Sequence, residues 1–251
     1  MAVGPMDPRP VDKLDGPVLE VYLLGTLDYD DALRLQRRMV FEVSGSGGQL
    51  AALFLCEHHP IITVGRLGSR AHIECDDEEL AARGLSVRWV NRGGGCNLQV
   101  PGQLAAYSIW PFQPDRPAIG DYVHRLERCV RDVLDEFDVS GVRSESHALR
   151  TAAGQIASIG VAVSRWVGYH GVTLNVSGWK YPYRVVHPEA NGSLRVTTME
   201  AERQRPAPMA KVRECLVRKF VESFEIARHN VYTSHPMLRK PARPHAYARS
   251  N

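Results

Sequence analysis

The sequence predicts an α+β domain in which helices flank a mixed or antiparallel sheet. Three observations indicate this class. Apolar runs of strand length outnumber the helical patterns, several of these runs adjoin through short turns, and two long segments carry apolar residues at helical spacing. The chain has 251 residues, of which 44% are hydrophobic and 24% are charged, so it can bury a sizeable core.

The first half of the chain predicts a strand, a helix, two more strands and a short helix. The first strand is 18–25, and an aspartate can cap the helix that follows it. The continuous apolar run 51–59 is typical of a buried central strand, and 61–65 follows as another strand. Residues 76–83 run from acidic to basic, which suits the dipole of a short helix.

The functional interpretation depends on a glycine-rich segment between two predicted strands. One strand ends at Val90, three consecutive glycines occupy 93–95, and a second strand covers 104–110. Glycine has no Cβ, so the main chain there can take positive φ and lie directly against a ligand. Arg92 precedes the glycines and could fix a carboxylate, phosphate or carbonyl group. The pattern also fits a glycine-rich hairpin without a ligand, and it matches neither the dinucleotide fingerprint nor the phosphate loop.

The second half predicts a helix, a run of strands and another helix. Apolar side chains recur at three and four positions in 121–137 and again in 209–224, whereas 149–176 resembles consecutive strands. We therefore expect a disordered N-terminal segment at 1–17, a single domain at 18–228 and a basic disordered tail at 229–251.

Composition excludes several classes of protein. A net charge of +3, with acids and bases interspersed, gives no reason to expect a nucleic-acid partner. No apolar run approaches the ~20 residues of a membrane span, and the first residues lack the apolar run of a signal peptide. Five scattered cysteines without a CxxC pair argue against a disulfide framework and a structural zinc site. We expect a soluble cytoplasmic protein with neither metal nor cofactor.

Four segments, in this order, resemble the lipoyl(octanoyl) transferase family. They are EHHPIITVGRLGSRAHI at 57–73, NRGGGCNLQVPGQLAAYSI at 91–109, GQIASIGVAV at 154–163 and YHGVTLNV at 169–176. The resemblance extends over about 18–224, which is most of the chain. It implies the fold of biotin and lipoate protein ligases, a mixed central sheet flanked by helices, with an acyl tunnel over the glycine segment.

The resemblance also implies a reaction and its partners. Members of this family move an octanoyl group from acyl carrier protein to a lysine of a lipoyl domain, a step of lipoate biosynthesis. An active-site cysteine forms a thioester, and a nearby lysine lowers the pKa of that cysteine, because only the thiolate attacks efficiently. The implied substrate-binding residues are Arg92, Gly93, Gly94, Gly95, Cys96, Asn97, Leu98, Gln99, Ser158, Ile159, Gly160, Gly171, Val172 and Thr173.

Both catalytic positions depart from the family pattern. Glu189 stands where the family has its nucleophilic cysteine, and Gln155 stands where it has the lysine. The thioester mechanism cannot run with these two residues, so we expect an impaired or altered transferase. Transfer without a nucleophile would be direct, with the amine attacking the thioester and the main-chain N–H groups of the glycine segment stabilising the oxyanion.

The sequence leaves undecided the roles of two other residues, and it also allows a function without catalysis. Cys96 could replace the missing nucleophile in an acyl- or amidotransferase, although packing is its plainer interpretation. His170 could accept a proton from the incoming lysine amine, or it could be structural. The chain could also be a non-catalytic protein that binds an acyl ligand, a carrier protein or a lipoyl domain.

Overall fold

The computed structural model describes residues 16–113, 118–145, 148–178, 185–186 and 195–238. In chain order the elements are β1 (Val18–Leu27), α1 (Tyr29–Gly45), β2 (Leu50–His58), β3 (Ile61–Val64), α2 (Asp77–Ala82), β4 (Ser86–Trp89), β5 (Cys96–Gln99), β6 (Gln103–Pro111), α3 (Ile119–Glu136), β7 (Arg143–Glu145), β8 (Ala148–Arg150), β9 (Gln155–Ser164), β10 (Val167–Asn175), α4 (Met199–Arg203), α5 (Met209–Phe224) and β11 (His229–Tyr232).

Within the described residues, the strands form two sheets. The main sheet has eight strands in the order β11-β1-β2-β6-β10-β9-β8-β7, and a second sheet has the order β4-β3-β5. β1 is parallel to both β11 and β2, whereas the other neighbours in the main sheet are antiparallel. The main sheet is therefore mixed, and the predicted α+β class is confirmed.

Strand β2 shows why the centre of the main sheet is apolar throughout. Successive side chains of a strand point to opposite faces, so Leu53 and Leu55 pack with α3 and α5 while Phe54 packs with α1. Both faces are covered by helices, which explains the uninterrupted apolar run that the sequence shows there. The helices α1, α3 and α5 lie where the sequence predicts them.

Two predictions about the strands are wrong. The glycine segment does not lie in a simple hairpin, because β4 belongs to the small sheet, β6 belongs to the main sheet, and the unpredicted strand β5 intervenes. The predicted disordered tail also begins too early, since His229–Tyr232 pairs in parallel with β1. All four of its residues are exposed, so this edge strand carries no apolar alternation that the sequence could reveal.

Some expectations fall outside the described residues. Only Gly16 and Pro17 of the predicted N-terminal segment are described, and 239–251 of the tail are not. Among the helices that the structure describes, none has the length and apolar character needed to cross a membrane.

Candidate functional site

A pocket with a cavity volume of about 80 Å³ lies between the glycine segment and the β9–β10 hairpin. We call it the glycine-loop pocket. It is lined by every predicted substrate-binding residue except Leu98, which is fully buried in the core of the small sheet. The structure thus brings these residues together, and their role in binding stays a prediction. Five further lining residues were not predicted: Tyr29, Tyr107, Glu145, Ala148 and Arg150.

Main-chain hydrogen bonds hold the glycine segment on both sides. The N–H groups of Gly65, Arg66 and Leu67 donate to the carbonyls of Gly95, Arg92 and Gly94 at 3.0, 3.0 and 3.1 Å. On the other side, the Gly93 N–H donates to Val161 O of β9 at 2.9 Å. This arrangement occupies the carbonyls of the segment. The N–H groups of Gly94 and Gly95 have no hydrogen-bond partner among the described residues, so both can donate to a ligand.

Arg92 fastens the glycine segment to β3. Its Nη1 donates to Gly93 O at 2.9 Å, and its Nη2 donates to the carbonyl oxygen and Oγ1 of Thr63 at 3.0 and 2.8 Å. Burial lowers the pKa of the guanidinium from its ordinary value, because the charged group loses hydration. Most of the guanidinium N–H groups of Arg92 are therefore bonded within the protein, and the main role of Arg92 is to hold the glycine segment in place.

A buried chain of polar groups lies behind Arg92. Tyr107, which lines the pocket, donates its hydroxyl hydrogen to Nε2 of His58 at 2.7 Å. The Nδ1–H of His58 donates to Leu27 O at 2.9 Å, which fixes this tautomer. Burial lowers the pKa of His58 to about 4, so its ring is neutral at physiological pH.

His170 lines the pocket, and its ring is held by neighbouring polar groups. Asn91 donates its Nδ2–H to the Tyr169 hydroxyl, which leaves Asn91 Oδ1 to accept from His170 Nε2 at 3.2 Å. The backbone N–H of His170, at φ 63°, donates to Gln36 Oε1 at 3.0 Å. His170 Nδ1 is buried and has no partner among the described residues. Burial and, secondarily, the charge of Arg92 lower the pKa of His170 to about 3, so the ring is neutral at physiological pH and Nδ1 carries a lone pair.

Cys96 lines the pocket but is poorly placed to act as a nucleophile. It is 4% exposed, and its thiol donates to Ser69 O at 3.5 Å. Burial raises the pKa of the thiol above its ordinary value, although the Ser69 hydrogen bond and the charge of Arg92 act in the opposite direction. The thiolate is therefore disfavoured at physiological pH.

Of the two substituted catalytic positions, the structure describes Gln155 but not Glu189. Gln155 lines the pocket at the start of β9, and its side chain makes no hydrogen bond to another described residue. Its amide carries no charge that could assist a reaction. Glu189 lies outside the described residues. Within the described ranges, no group of three His, Cys, Asp or Glu side chains is arranged to hold a metal ion.

Neither of two other cavities is lined by a predicted site residue that the structure describes. One lies beside the start of α3 and is lined by aromatic side chains that include Trp110, Phe112 and Trp166. The other, which we call the α5–β11 groove, is lined by Val217, Val231 and their neighbours. The glycine-loop pocket is therefore the candidate site.

The profile of the lipoyl protein ligase A/B catalytic domain matches residues 28–221. The chain belongs to this family. Among curated relatives, the octanoyltransferase of Chloroflexus aggregans is 35% identical over 213 residues, covering 83% of this chain and 96% of that protein. The octanoyltransferase of Myxococcus xanthus is 34% identical over 218 residues, covering 84% of this chain but 60% of that longer protein.

The ligase-like fold that the sequence predicts is confirmed by solved structures. The bi-partite lipoate protein ligase of Thermoplasma acidophilum, studied together with its E2 lipoyl domain, matches with a TM-score of 0.64 at 17% identity. The match covers 86% of this chain and 88% of that one. At this level of identity the likeness shows a shared fold. What the site does depends on the residues that this chain itself places in the pocket.

Proposed function

We propose that this chain transfers an octanoyl group from a thioester on acyl carrier protein to a lysine amine of a lipoyl domain. Family membership and the curated octanoyltransferase relatives support the reaction. The Thermoplasma ligase, studied with its E2 lipoyl domain, supports a lipoyl domain as the acceptor. A cytoplasmic location is part of the proposal, and the five free cysteines support it.

The observation that carries the proposal is the meeting of two kinds of group in one pocket. Among the described residues, the N–H groups of Gly94 and Gly95 have no hydrogen-bond partner and can hold an oxyanion, and Nδ1 of the neutral His170 ring also has none and can accept a proton. Both Gly94 and Gly95 line the same cavity as His170. Direct acyl transfer needs this combination, an oxyanion site and a base, and it needs no protein nucleophile.

The step then balances without a covalent enzyme intermediate. The lysine nitrogen attacks the thioester carbon, a C–N bond forms, and the carbonyl oxygen takes a negative charge beside Gly94 and Gly95. His170 accepts the proton from nitrogen, the C–S bond breaks, and the departing sulfur takes that proton to leave as a thiol. The low pKa of His170 in the free protein rises during the step, because the oxyanion is an opposite charge close to the imidazolium.

A non-catalytic binder is the second candidate, and one observation favours it. Gln155 lines the pocket without offering the positive charge that the resemblance implies at this position. A protein of this kind would hold an acyl ligand or a lipoyl domain without transferring the acyl group. The third possibility, a Cys96 nucleophile, is disfavoured by the burial of the thiol and its raised pKa.

Intact-mass measurement separates these candidates. The protein is incubated with octanoyl-acyl carrier protein, and its mass is recorded before and after a lipoyl domain is added. An octanoylated lipoyl domain without an adduct on this chain supports direct transfer. An adduct that disappears in Cys96→Ser would instead favour the cysteine mechanism, and measurable binding without either product would favour the binder.

Two matched histidine variants sharpen the test. His170→Gln should lower the transfer rate by about 10²-fold, the usual contribution of a positioned base. The control is His124→Gln on α3, where the side chain is 78% exposed and away from the pocket. Equal rates in the two variants would remove His170 from the mechanism.

A further inference from the structure

The ladder between β8 and β9 places a cation opposite Gln155. Ala148 pairs with Ser158 and Leu149 with Ala157, but Arg150 then pairs with Gln155 because the register shifts by one residue. The shift leaves Ile156 as the extra residue of a β-bulge. Without it, Arg150 would face Ile156 instead.

The bulge also decides which side chains reach the pocket. Ile156 and Ala157 are both buried in the core with α3 and α5, whereas Gln155 and Ser158 both line the glycine-loop pocket. Arg150 lines the same pocket. The position at which the resemblance implies a lysine is therefore flanked, across the ladder, by an arginine on the next strand.

Arg150 forms an ion pair with one neighbour, but most of its guanidinium N–H groups have no partner among the described residues. Its Nε lies 3.3 Å from Oε2 of Glu145, and its side chain is 35% exposed against 70% for Glu145. Beyond this ion pair, the guanidinium makes no hydrogen bond to another described residue, and Nε is buried without a hydrogen-bond partner. An ion pair this exposed orients the side chain while contributing little binding energy of its own, so the terminal donors stay available.

We propose that Arg150 supplies, from β8, the positive charge that is missing at Gln155, and that its guanidinium binds the oxygen of the acyl group. The inference rests on the proposed function for the identity of the acyl group. Arginine suits the role because it stays protonated and offers several donors in one plane, whereas glutamine offers a neutral amide. The charge acts where it is needed in direct transfer, since negative charge develops on that oxygen and not on a protein thiol.

The test removes the positive charge from position 150 and places one at position 155, where the resemblance implies a lysine. The variants are Arg150→Gln, Gln155→Lys and the two combined, with Arg143→Gln as the control. Arg143 is the register partner of Arg150 on β7, is exposed and does not line the pocket. Two readouts are taken: the single-turnover rate of octanoyl transfer to a lipoyl domain, and the Kd for octanoate, an anion whose binding requires no reaction.

We expect Arg150→Gln to slow transfer by about 10²-fold, as for loss of one oxyanion donor. The same variant should weaken octanoate binding by about tenfold or more, as for loss of a charge-assisted hydrogen bond. The double variant Arg150→Gln/Gln155→Lys should recover at least tenfold in rate and most of the octanoate affinity, whereas Arg143→Gln should match the wild type in both. Arg150→Lys, which keeps the charge on β8, covers the case in which Arg150→Gln does not fold, and it should retain octanoate binding.

Two results would overturn the inference. One is unchanged rate and affinity in Arg150→Gln. The other is a loss in Arg150→Gln that Gln155→Lys does not restore, accompanied by a lower Tm, which would make Arg150 a structural residue. If the wild type transfers no octanoyl group but its octanoate affinity still depends on Arg150 and is restored by Gln155→Lys, the proposed function fails while the inference stands.

Discussion

Replacing Gly160 by alanine should push the glycine segment away from β9. A Cβ at this position would lie 2.7 Å from Gly93 O and 3.2 Å from Cδ of Arg92. The first contact is with main chain, so no flexible side chain can move aside to relieve it. To reach ordinary contact, the segment must retreat by about 0.7 Å, in an interior that is otherwise close-packed.

The energetic cost follows from two effects. Overpacking of this kind costs about 1–3 kcal/mol, and a weakened hydrogen bond from the Gly93 N–H to Val161 O adds about 1 kcal/mol. Alanine offsets part of this, because it gives back about 0.5–1 kcal/mol of the entropy that a strand glycine loses on folding. We therefore expect the free energy of unfolding to fall by about 1–3 kcal/mol.

Urea unfolding and thioester binding measure the two consequences in the same variant. Gly160→Ala should be less stable and should also bind an octanoyl thioester at least about tenfold more weakly, since Gly94 and Gly95 move with the segment. Gly120→Ala on α3 is the control, because its Cβ would meet nothing within 4 Å. That substitution should leave binding unchanged and raise stability by up to about 1 kcal/mol. Wild-type stability and affinity in Gly160→Ala would refute the packing of the glycine segment on β9.

Two further predictions concern buried titratable groups. The pKa values of His58 and His170, about 4 and about 3 in the folded protein, lie below the ordinary 6.5, so their protonation favours the unfolded chain. The stability that the two neutral histidines contribute is fully present above about pH 6.5 and is lost as the pH falls through their folded pKa values of about 4 and about 3. At pH 5 each histidine should already lower the free energy of unfolding by about 2 kcal/mol. Urea unfolding at about pH 6.5 and at about pH 5 measures this loss of free energy of unfolding. The loss should be smaller by about 2 kcal/mol in His58→Gln than in the wild type, and an equal loss in the two proteins would contradict the prediction. Because the Cys96 thiol is protonated, Cys96→Ser should keep the transfer rate within about threefold, and a loss of 100-fold would contradict this.

Local patterns predict most of the fold because they report burial directly. The amphipathic stripe of α3 and the uninterrupted apolar run of β2 both follow from covered faces, and both are present in the sequence. Strand β5 escaped prediction because it directly follows three glycines and half of its four side chains are polar, whereas the equally short β3 consists of β-branched residues. Strand β11 escaped because an exposed edge strand needs no apolar side chains.

The composition of the site was predicted less completely, for a different physical reason. Resemblance to family motifs marks residues that lie within those motifs, such as Gly93 and His170. Tyr29 reaches the pocket from the first turn of α1, and Arg150 reaches it through a β-bulge, so their positions depend on tertiary structure. No local spacing in the sequence reports either contact. The burial that depresses the pKa of His170 is likewise a property of the folded protein.

Amide chemical shifts measured during ligand binding test most directly whether the acyl group lies against the main chain of Gly93–Gly95. The protein is labelled with ¹⁵N and titrated with S-octanoyl-N-acetylcysteamine, a small octanoyl thioester. The largest shifts should occur at the amides of Gly94 and Gly95, the two donors without a partner among the described residues, with little change at Val217 and Val231 in the α5–β11 groove. Large shifts in that groove, with Gly94 and Gly95 unchanged, would contradict an acyl site at the glycine segment.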